Sequence, residues 1–434
     1  MSLRFHPREA WLRPPIVVAA GVLLVAGLWW AFAAWEPGPP RTVVMATGPE
    51  GSAYAAFGVR YRAILARSAV DLRLRPTAGT VENLARLREA ASAVSVAFAQ
   101  AGTARAEDGD TLASLGTVFY EPFWLFHNGL DEGRGFAALR GKRVSIGPEG
   151  SGTRALALRT LALGGIDSGS PGLLPLAPGE AAERLIRGEI DAAAIVTSWD
   201  SAVVHELLAA PGVQLASFPR ADAHLALNPY LNKLVLPAGV GDLARNIPPA
   251  DVVLVAPKAS LVVRRDLHPA LQYLLLDAAA EIHSPPGLFH RAGEFPAAEA
   301  IDLPLSGDAR QFYKSGRPFL QRYLPFWLAI FVERLLILLV PLVGVAYPLV
   351  RSLPALYAWN MRRRIFRLYG ELKLVEIEME ERKAAGAAVD GLLARLDDLD
   401  ERVSHLRVSR GQVAHAYTLR HHIRLVRGRL EKGS

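Results

Sequence analysis

The stretch Gly141-Lys-Arg-Val-Ser-Ile-Gly147-Pro-Glu-Gly150-Ser-Gly152-Thr-Arg-Ala-Leu-Ala-Leu-Arg-Thr160 decides how the chain is read. Lys142 to Ile146 is short, β-branched and bounded by glycines, which predicts a buried strand. Gly147, Gly150 and Gly152 then make a turn, and Thr153 opens an Ala/Leu run suited to a helix. A strand, a glycine-rich turn and a helix N-terminus form an anion site, because the free N–H groups of the first turn and the positive end of the dipole point at one spot. Ser151 and Thr153 add hydroxyl donors. Two enzymatic readings fail on the residues. Gly147 and Gly152 have phosphate-loop spacing, but Thr153 stands where the lysine must be. Ser151 lies between two glycines, so the G-x-S-x-G elbow is not matched. The remaining alternative is a plain left-handed turn that needs glycine.

Outward from this turn, the composition bounds the architecture. At 434 residues the chain is too long for one ordinary core. Hydrophobic residues make up 51% and mean hydropathy is +0.19, which points to membrane segments. There is no cysteine, so neither disulfides nor thiolate metal sites hold the fold. The net charge of +7 is concentrated at the two ends, so the middle lacks the basic face that nucleic-acid binding needs.

Arg4, Arg8 and Arg13 precede the apolar run Ile16–Trp35, whose about 20 residues suffice for a bilayer span. A retained anchor is expected over 16–35; a cleaved signal peptide ending near Ala31-Phe32-Ala33 is the alternative. Either one exports the domain that begins near Arg41. A second apolar run, Phe326–Val350, precedes Arg351 and Arg362-Arg363-Arg364, as the positive-inside rule requires. The expected topology has cytoplasmic termini at 1–15 and 351–434, an extracytoplasmic domain at 41–323, and a bacterial inner membrane between them. In the tail, Leu392, Leu396, Leu399, Val403 and Leu406 alternate at four and three, an a/d seam that fits a helical hairpin or a dimeric coiled coil.

The middle reads as repeated strand–turn–helix units. Thr42–Ala46 runs into a second glycine-rich turn, Thr47 to Tyr54, and Tyr54 to Ala66 has helical spacing. Val70–Pro76 and Val94–Ala99 are further strands, and Gln100 comes directly after the second. Ile190–Val196 and Val213–Phe218 are strands, and Val252–Val255 and Ser260–Val263 flank a turn at Pro257. This order predicts an α/β fold with largely parallel or mixed sheets and ligands at the carboxyl ends of strands.

Thr47-Gly-Pro-Glu-Gly-Ser-Ala-Tyr54, Thr77-Ala-Gly-Thr-Val-Glu-Asn83, Leu139 to Thr153, Gly188-Glu-Ile-Asp-Ala-Ala194 and Pro257 to Asp266 together resemble the TAXI family of solute receptors for TRAP transporters. The resemblance implies a two-lobed, periplasmic-binding-protein-like (type II) domain with mixed sheets, flanked by transmembrane helices and a cytoplasmic helical tail. Lobe one would comprise 41–127 and 221–304, and lobe two 128–220. It implies a small carboxylate, such as glutamate or a 2-oxo acid, in the interlobe cleft, and no enzymatic activity, cofactor or metal. Gly51, Ser52 and Tyr54 would supply donors, with Thr80 and Asn83 beside the next helix start. Gln100 and Tyr120 would orient the ligand. Gly150, Ser151, Gly152 and Thr153 would close from lobe two, and Trp199 would cover the apolar part. The partners expected are the organic anion, membrane lipid, and TRAP-type permease subunits or a cytoplasmic signalling protein. A membrane-anchored sensor acting through the tail is the alternative function. A hydrolase using His127, His205 or His224 has no serine or carboxylate at a recognised motif spacing.

Overall fold

A computed structural model of the chain describes residues 26–27, 29–30, 38–385, 390–406 and 413–431. The chain divides into two units, Gly38–Val332 and Met1–Pro37 with Glu333–Ser434.

The first unit alternates strands and helices. Strand β1 (Thr42–Ala46) leads to helix α1 (Ala53–Ala66), β2 (Asp71–Arg75), α2 (Thr80–Arg88) and β3 (Val94–Gln100). Then β4 (Leu112–Tyr120) and β5 (Phe123–His127) come almost without a break. The chain continues through β6 (Val144–Ser145), α3 (Gly152–Leu163), β7 (Leu173–Leu174), α4 (Pro178–Ile186), β8 (Ala192–Val196), α5 (Ala202–Ala209) and β9 (Gln214–Leu215). Next come α6 (Ala221–Leu227), β10 (Leu231–Leu236), β11 (Val252–Arg264), α7 (Pro269–His283), α8 (Gly307–Ser315) and α9 (Phe319–Tyr323).

These strands form two mixed sheets, and so two lobes. One sheet has the order β10-β11-β3-β1-β2, with β4 also on β11; the other has the order β7-β6-β8-β5-β9. In the first, β1 pairs parallel to β2 and β3, while β11 runs antiparallel to β3, β4 and β10. Each sheet has its own core. Met45, Tyr61, Leu72, Phe98 and Leu271 fill lobe one, and Trp124, Phe126, Val144, Leu156 and Ile195 fill lobe two. The inner strands β3, β4, β5 and β8 are near-continuous apolar runs because both faces are covered, whereas β2 and β10, at the two ends of the first sheet, alternate.

Three boundaries differ from the sequence reading. β5, expected within lobe one, lies in the second sheet between β8 and β9. Its Phe123-Trp-Leu-Phe run buries itself against the apolar β8. Leu231, Leu236, Val252 and Leu254 likewise pack into the lobe-two core. The two strands expected around Pro257 are one strand, β11. Pro257 is tolerated there because it stands at the last β10 pair, Leu231↔Pro257, where the partners change to β3 and β4 from Lys258 onward.

The chain therefore crosses between the lobes at two adjacent places, Glu121–Pro122 and Pro257–Lys258. The Glu121 N–H donates to the Pro257 carbonyl at 2.9 Å, tying the crossings together. Adjacent crossings of this kind are the hinge of a two-lobed domain.

Helix α10 (Phe326–Ala384) begins beside lobe one, where the Trp327 Nε1–H donates to the Ser68 carbonyl at 2.8 Å. In the second unit, α10 is joined by α11 (Asp390–Ser404) and α12 (Val413–Glu431). Leu392, Leu396, Leu399 and Val403 are buried against Leu372, Val375 and Met379 of α10 and Leu419, Ile423 and Val426 of α12. The apolar seam is thus filled within the chain, by three helices rather than a hairpin alone. Arg402–Glu371, Arg395–Glu378 and Arg420–Asp400 bridge them at the surface. Among the described residues no helix is long and apolar enough to cross a membrane. The expected span at 16–35 lies almost wholly outside the described residues, and the one at Phe326–Val350 does so for several of its side chains.

Candidate functional site

The sequence Gly-Pro-Glu-Gly-Ser occurs twice, at 48–52 and at 147–151. Both copies fold alike. Gly51 and Gly150 take φ of 77° and 81°, the left-handed conformation that glycine adopts without strain. The N–H groups of Ser52 and Ser151 donate to the carbonyls of Pro49 and Pro148 at 3.1 and 3.2 Å. Each serine is the N-cap of the next helix: Ser52 Oγ accepts from the Ala55 N–H at 3.3 Å, and Ser151 Oγ from the Arg154 N–H at 3.1 Å. One copy opens α1 in lobe one and the other opens α3 in lobe two. Capping satisfies the third N–H of each helix and leaves the first two. The N–H groups of Ala53 and Tyr54, and of Gly152 and Thr153, have no acceptor among the described residues.

All four residues line one cavity between the lobes, a space of about 50 Å³. Two matching helix N-termini thus present four N–H groups and two positive dipole ends to the same small volume. Thr197, at the carboxyl end of β8, adds a further polar group. It is 6% exposed, it lines the cavity, and its Oγ1 has no hydrogen-bond partner among the described residues. A buried hydroxyl with no partner is costly, and a ligand acceptor or donor in the cavity would satisfy it.

The floor of the cavity is Glu121, at the hinge and 3% exposed. A chain of hydrogen bonds ends on it. The Gln100 N–H donates to Thr80 Oγ1 at 3.1 Å, Thr80 Oγ1 lies 3.1 Å from the Tyr54 hydroxyl, and that hydroxyl donates to Glu121 Oε2 at 2.8 Å. Because Thr80 accepts from Gln100 and Tyr54 donates to Glu121, the Thr80 hydroxyl donates to Tyr54. Burial pushes the Glu121 carboxyl up to about 8, against the Tyr54 bond, which lowers it. Burial, with the neighbouring Glu121 next in size, raises the Tyr54 hydroxyl well above its ordinary value. Among the described residues, no lysine or arginine lines the cavity.

Across the cleft the lobes touch directly. The Val81 and Glu82 N–H groups at the start of α2 donate to the Gly150 carbonyl at 3.0 and 3.2 Å, and Gln100 Nε2 donates to the Gly152 carbonyl at 3.3 Å. The α2 donors are therefore held by lobe two.

Of the residues singled out in the sequence, Ser52, Tyr54, Thr80, Gln100, Ser151, Gly152 and Thr153 line the cavity. Gly51 and Gly150 shape its two turns. The Ser151 hydroxyl is committed locally, since it donates to the Pro148 carbonyl at 2.7 Å. The Thr153 hydroxyl oxygen accepts from the Val196 N–H at 3.1 Å and keeps its own proton to donate. Three residues lie elsewhere. Asn83 is fully buried beneath the site; its Nδ2 donates to the carbonyls of Thr47 and Phe98 and its Oδ1 accepts from Thr77. Tyr120 turns away and donates to Glu294 at 3.0 Å, beside Lys258. Trp199 packs on Trp124, His205 and Phe289. The histidines are similarly occupied: His127 Nδ1 accepts from the Leu130 N–H, and His224 packs on Phe136.

Sequence reasoning misses Glu121 and Thr197. The first hides inside the aromatic run Thr117–Phe126, where one carboxylate among apolar strands is itself a signal of an unusual environment. The second stands directly after a strand, where open α/β sheets bind ligands.

Residues 45–315, a range holding both lobes and the cavity, match the NMT1-like family. The chain belongs to the NMT1-like family. Among solved structures, this member is similar to the periplasmic aliphatic sulphonate binding protein SsuA from Escherichia coli, at 16% identity and a TM-score of 0.35 over 72% of this chain and 82% of that one. It is similar to the VFT2 domain of BvgS from Bordetella pertussis, at 14% identity and a TM-score of 0.35 over 58% and 91%. An ancestral arginine-binding protein bound to arginine gives 15% identity and a TM-score of 0.37 over 56% and 93%. Likeness at this level assigns no ligand to the family member described here.

Proposed function

We propose that the two-lobed domain is an extracytoplasmic receptor that binds a small organic anion in the interlobe cleft. The carrying observation is the pair of Gly-Pro-Glu-Gly-Ser turns, after which four residues with unpaired N–H groups, two from each lobe, line one cavity. A carboxylate has two oxygens and about four lone-pair directions, so one such group satisfies this set. Charge-assisted bonds of this type are roughly twice as strong as neutral ones. The resemblance to TAXI receptors favours glutamate or a 2-oxo acid and delivery to a TRAP-type permease. The domain is held at the inner membrane by the segments 16–35 and Phe326–Val350, with both termini inside. Exposure in α10 supports this: Leu335, Leu336, Ile337, Leu339, Val340 and Val343 are all exposed. Successive residues turn by about 100°, so the apolar surface runs round the helix, and lipid suits such a helix better than water.

A thermal-shift measurement on the purified full chain tests the ligand class. A ligand that binds only the native state stabilises by about 2.7 kcal/mol at a hundredfold excess over Kd. Small carboxylates should raise the melting temperature of the two-lobed domain. Stabilisation by neutral sugars or simple cations, with none by any carboxylate, would overturn the anion reading.

A second reading is a sensor whose closure is relayed to a cytoplasmic partner. The three-helix tail favours it, because a protein that only hands over solute does not need a second core. Deleting the tail should then abolish the response to solute while leaving solute affinity unchanged.

A further inference from the structure

We propose that Glu121 reads the charge of the ligand's second group, so that the cleft takes a small α-amino acid in its zwitterionic form in preference to the matching 2-oxo acid. The proposal rests on the reading of the cleft as an anion site and names what that anion must carry.

The cavity has two chemically opposite walls. The paired turns offer only donors. The floor offers an acceptor: Glu121 Oε2 receives the Tyr54 proton, and Oε1 has no partner among the described residues. Every bond in the relay from Gln100 through Thr80 and Tyr54 points its proton towards Glu121, so none of these groups supplies a cation. With no lysine or arginine among the described lining residues, a positive charge opposite Glu121 has to come from the ligand. An ammonium group offers three donors, whereas a keto oxygen offers none and would face a carboxylate oxygen. The small volume suits a compact head group whose carboxylate and ammonium sit on one carbon.

Protonation competes with this pairing. The acid sits at about 8 without ligand, so the proton must leave before the ammonium pairs. Tyr54 is the other titratable group lining the cavity among the described residues, and its hydroxyl lies far above this range. Affinity for the amino acid should therefore rise by about 25-fold from pH 6.5 to 8.5, as the fraction of ionised Glu121 rises. A 2-oxo acid, which gains only from protonated Glu121, should weaken over the same range.

Isothermal titration of the purified full chain with two matched pairs, L-alanine against pyruvate and L-glutamate against 2-oxoglutarate, decides this at pH 6.5 and 8.5. At pH 8.5 the amino member of at least one pair should bind about tenfold tighter or better, the scale of one hydrogen bond to a charged group. The gap should shrink at pH 6.5, and in E121Q it should fall below about threefold. The wild-type comparison needs no variant, so a misfolded E121Q would not remove the test. Equal or tighter binding of both oxo members at pH 8.5 overturns the role of Glu121 and leaves the anion site standing. No binding of any of the four overturns both.

Discussion

Replacing Glu121 by Gln should stabilise the ligand-free domain, and the gain should grow with pH. Burial raises the carboxyl from 4.5 to about 8 in the folded chain, whereas the unfolded chain keeps the lower value. Between those two pH values the folded state holds a proton that the unfolded state has lost. Stability therefore falls as pH rises through this window, by about 1.4 kcal/mol per pH unit. Three and a half units amount to about 5 kcal/mol, fully lost above pH 8 and fully recovered below pH 4.5. Gln has nearly the same shape and never ionises. The stability difference, variant minus wild type, should thus be smallest near pH 4.5, grow by about 3.5 kcal/mol by pH 7, and flatten above pH 8. Urea unfolding of both full-length proteins at pH 5, 6, 7 and 8 measures it. Subtraction removes groups common to both, including His283, whose burial lowers it to about 3 and which acts with the opposite sign below pH 6.5. A difference that stays constant across this range would refute the buried, proton-holding state of Glu121.

Single contacts set three further outcomes, and the arginine clusters set a fourth. Thr197→Val keeps the shape and removes the unpaired hydroxyl, so ligand-free melting should hold or rise while affinity for a bound carboxylate falls about tenfold or more by titration calorimetry. Ser151→Ala removes the α3 cap and the bond to Pro148, and should lower ligand-free stability by about 1 kcal/mol in a urea curve, with a smaller loss of affinity than Thr197→Val. Asn83→Leu removes the Nδ2 donor that serves the Thr47 and Phe98 carbonyls, of which Thr47 keeps the Thr77 hydroxyl, and should cost about 2 kcal/mol of stability, seen as a lower melting temperature with or without ligand. A reporter active only in the cytoplasm, fused after Ser434, should be active; activity of a periplasm-only reporter there would rule out the second span.

The parts of the fold legible in the sequence are those fixed by local chemistry. The strand–turn–helix units around Thr42–Ala66 and Val144–Leu163 announce themselves through β-branched runs, left-handed glycines and serine caps, and the structure has them. The illegible parts depend on pairing between distant segments. Phe123–His127 falls within the segment 41–127 read as lobe one, and only contact with Ala192–Val196 assigns it to lobe two. Pro257 reads as a turn because its missing N–H is visible locally, while the change of strand partners that makes it harmless is not. Asn83 and Tyr120 carry polar groups suited to a ligand, but the carbonyls of Thr47 and Phe98 and the Glu294 carboxylate reach them first.

The same limit explains why the turn at Gly147–Gly152 means more in the structure than in isolation. By itself, it offers donors to an anion. In place, its Gly150 carbonyl also accepts from the start of α2, so the turn closes the cleft while its Gly152 and Thr153 N–H groups remain for the ligand. The donors of α2 that sequence reasoning assigns to the ligand are therefore used in holding the lobes together. The corresponding turn at Gly48–Ser52 keeps its two free N–H groups as well, so each lobe contributes an equal half of the donor set. Separating the lobes would unpair α2 and split that set at once. A carboxylate held by both halves binds the closed arrangement better than the open one, and that difference in affinity is what would couple ligand binding to closure about the Glu121 hinge.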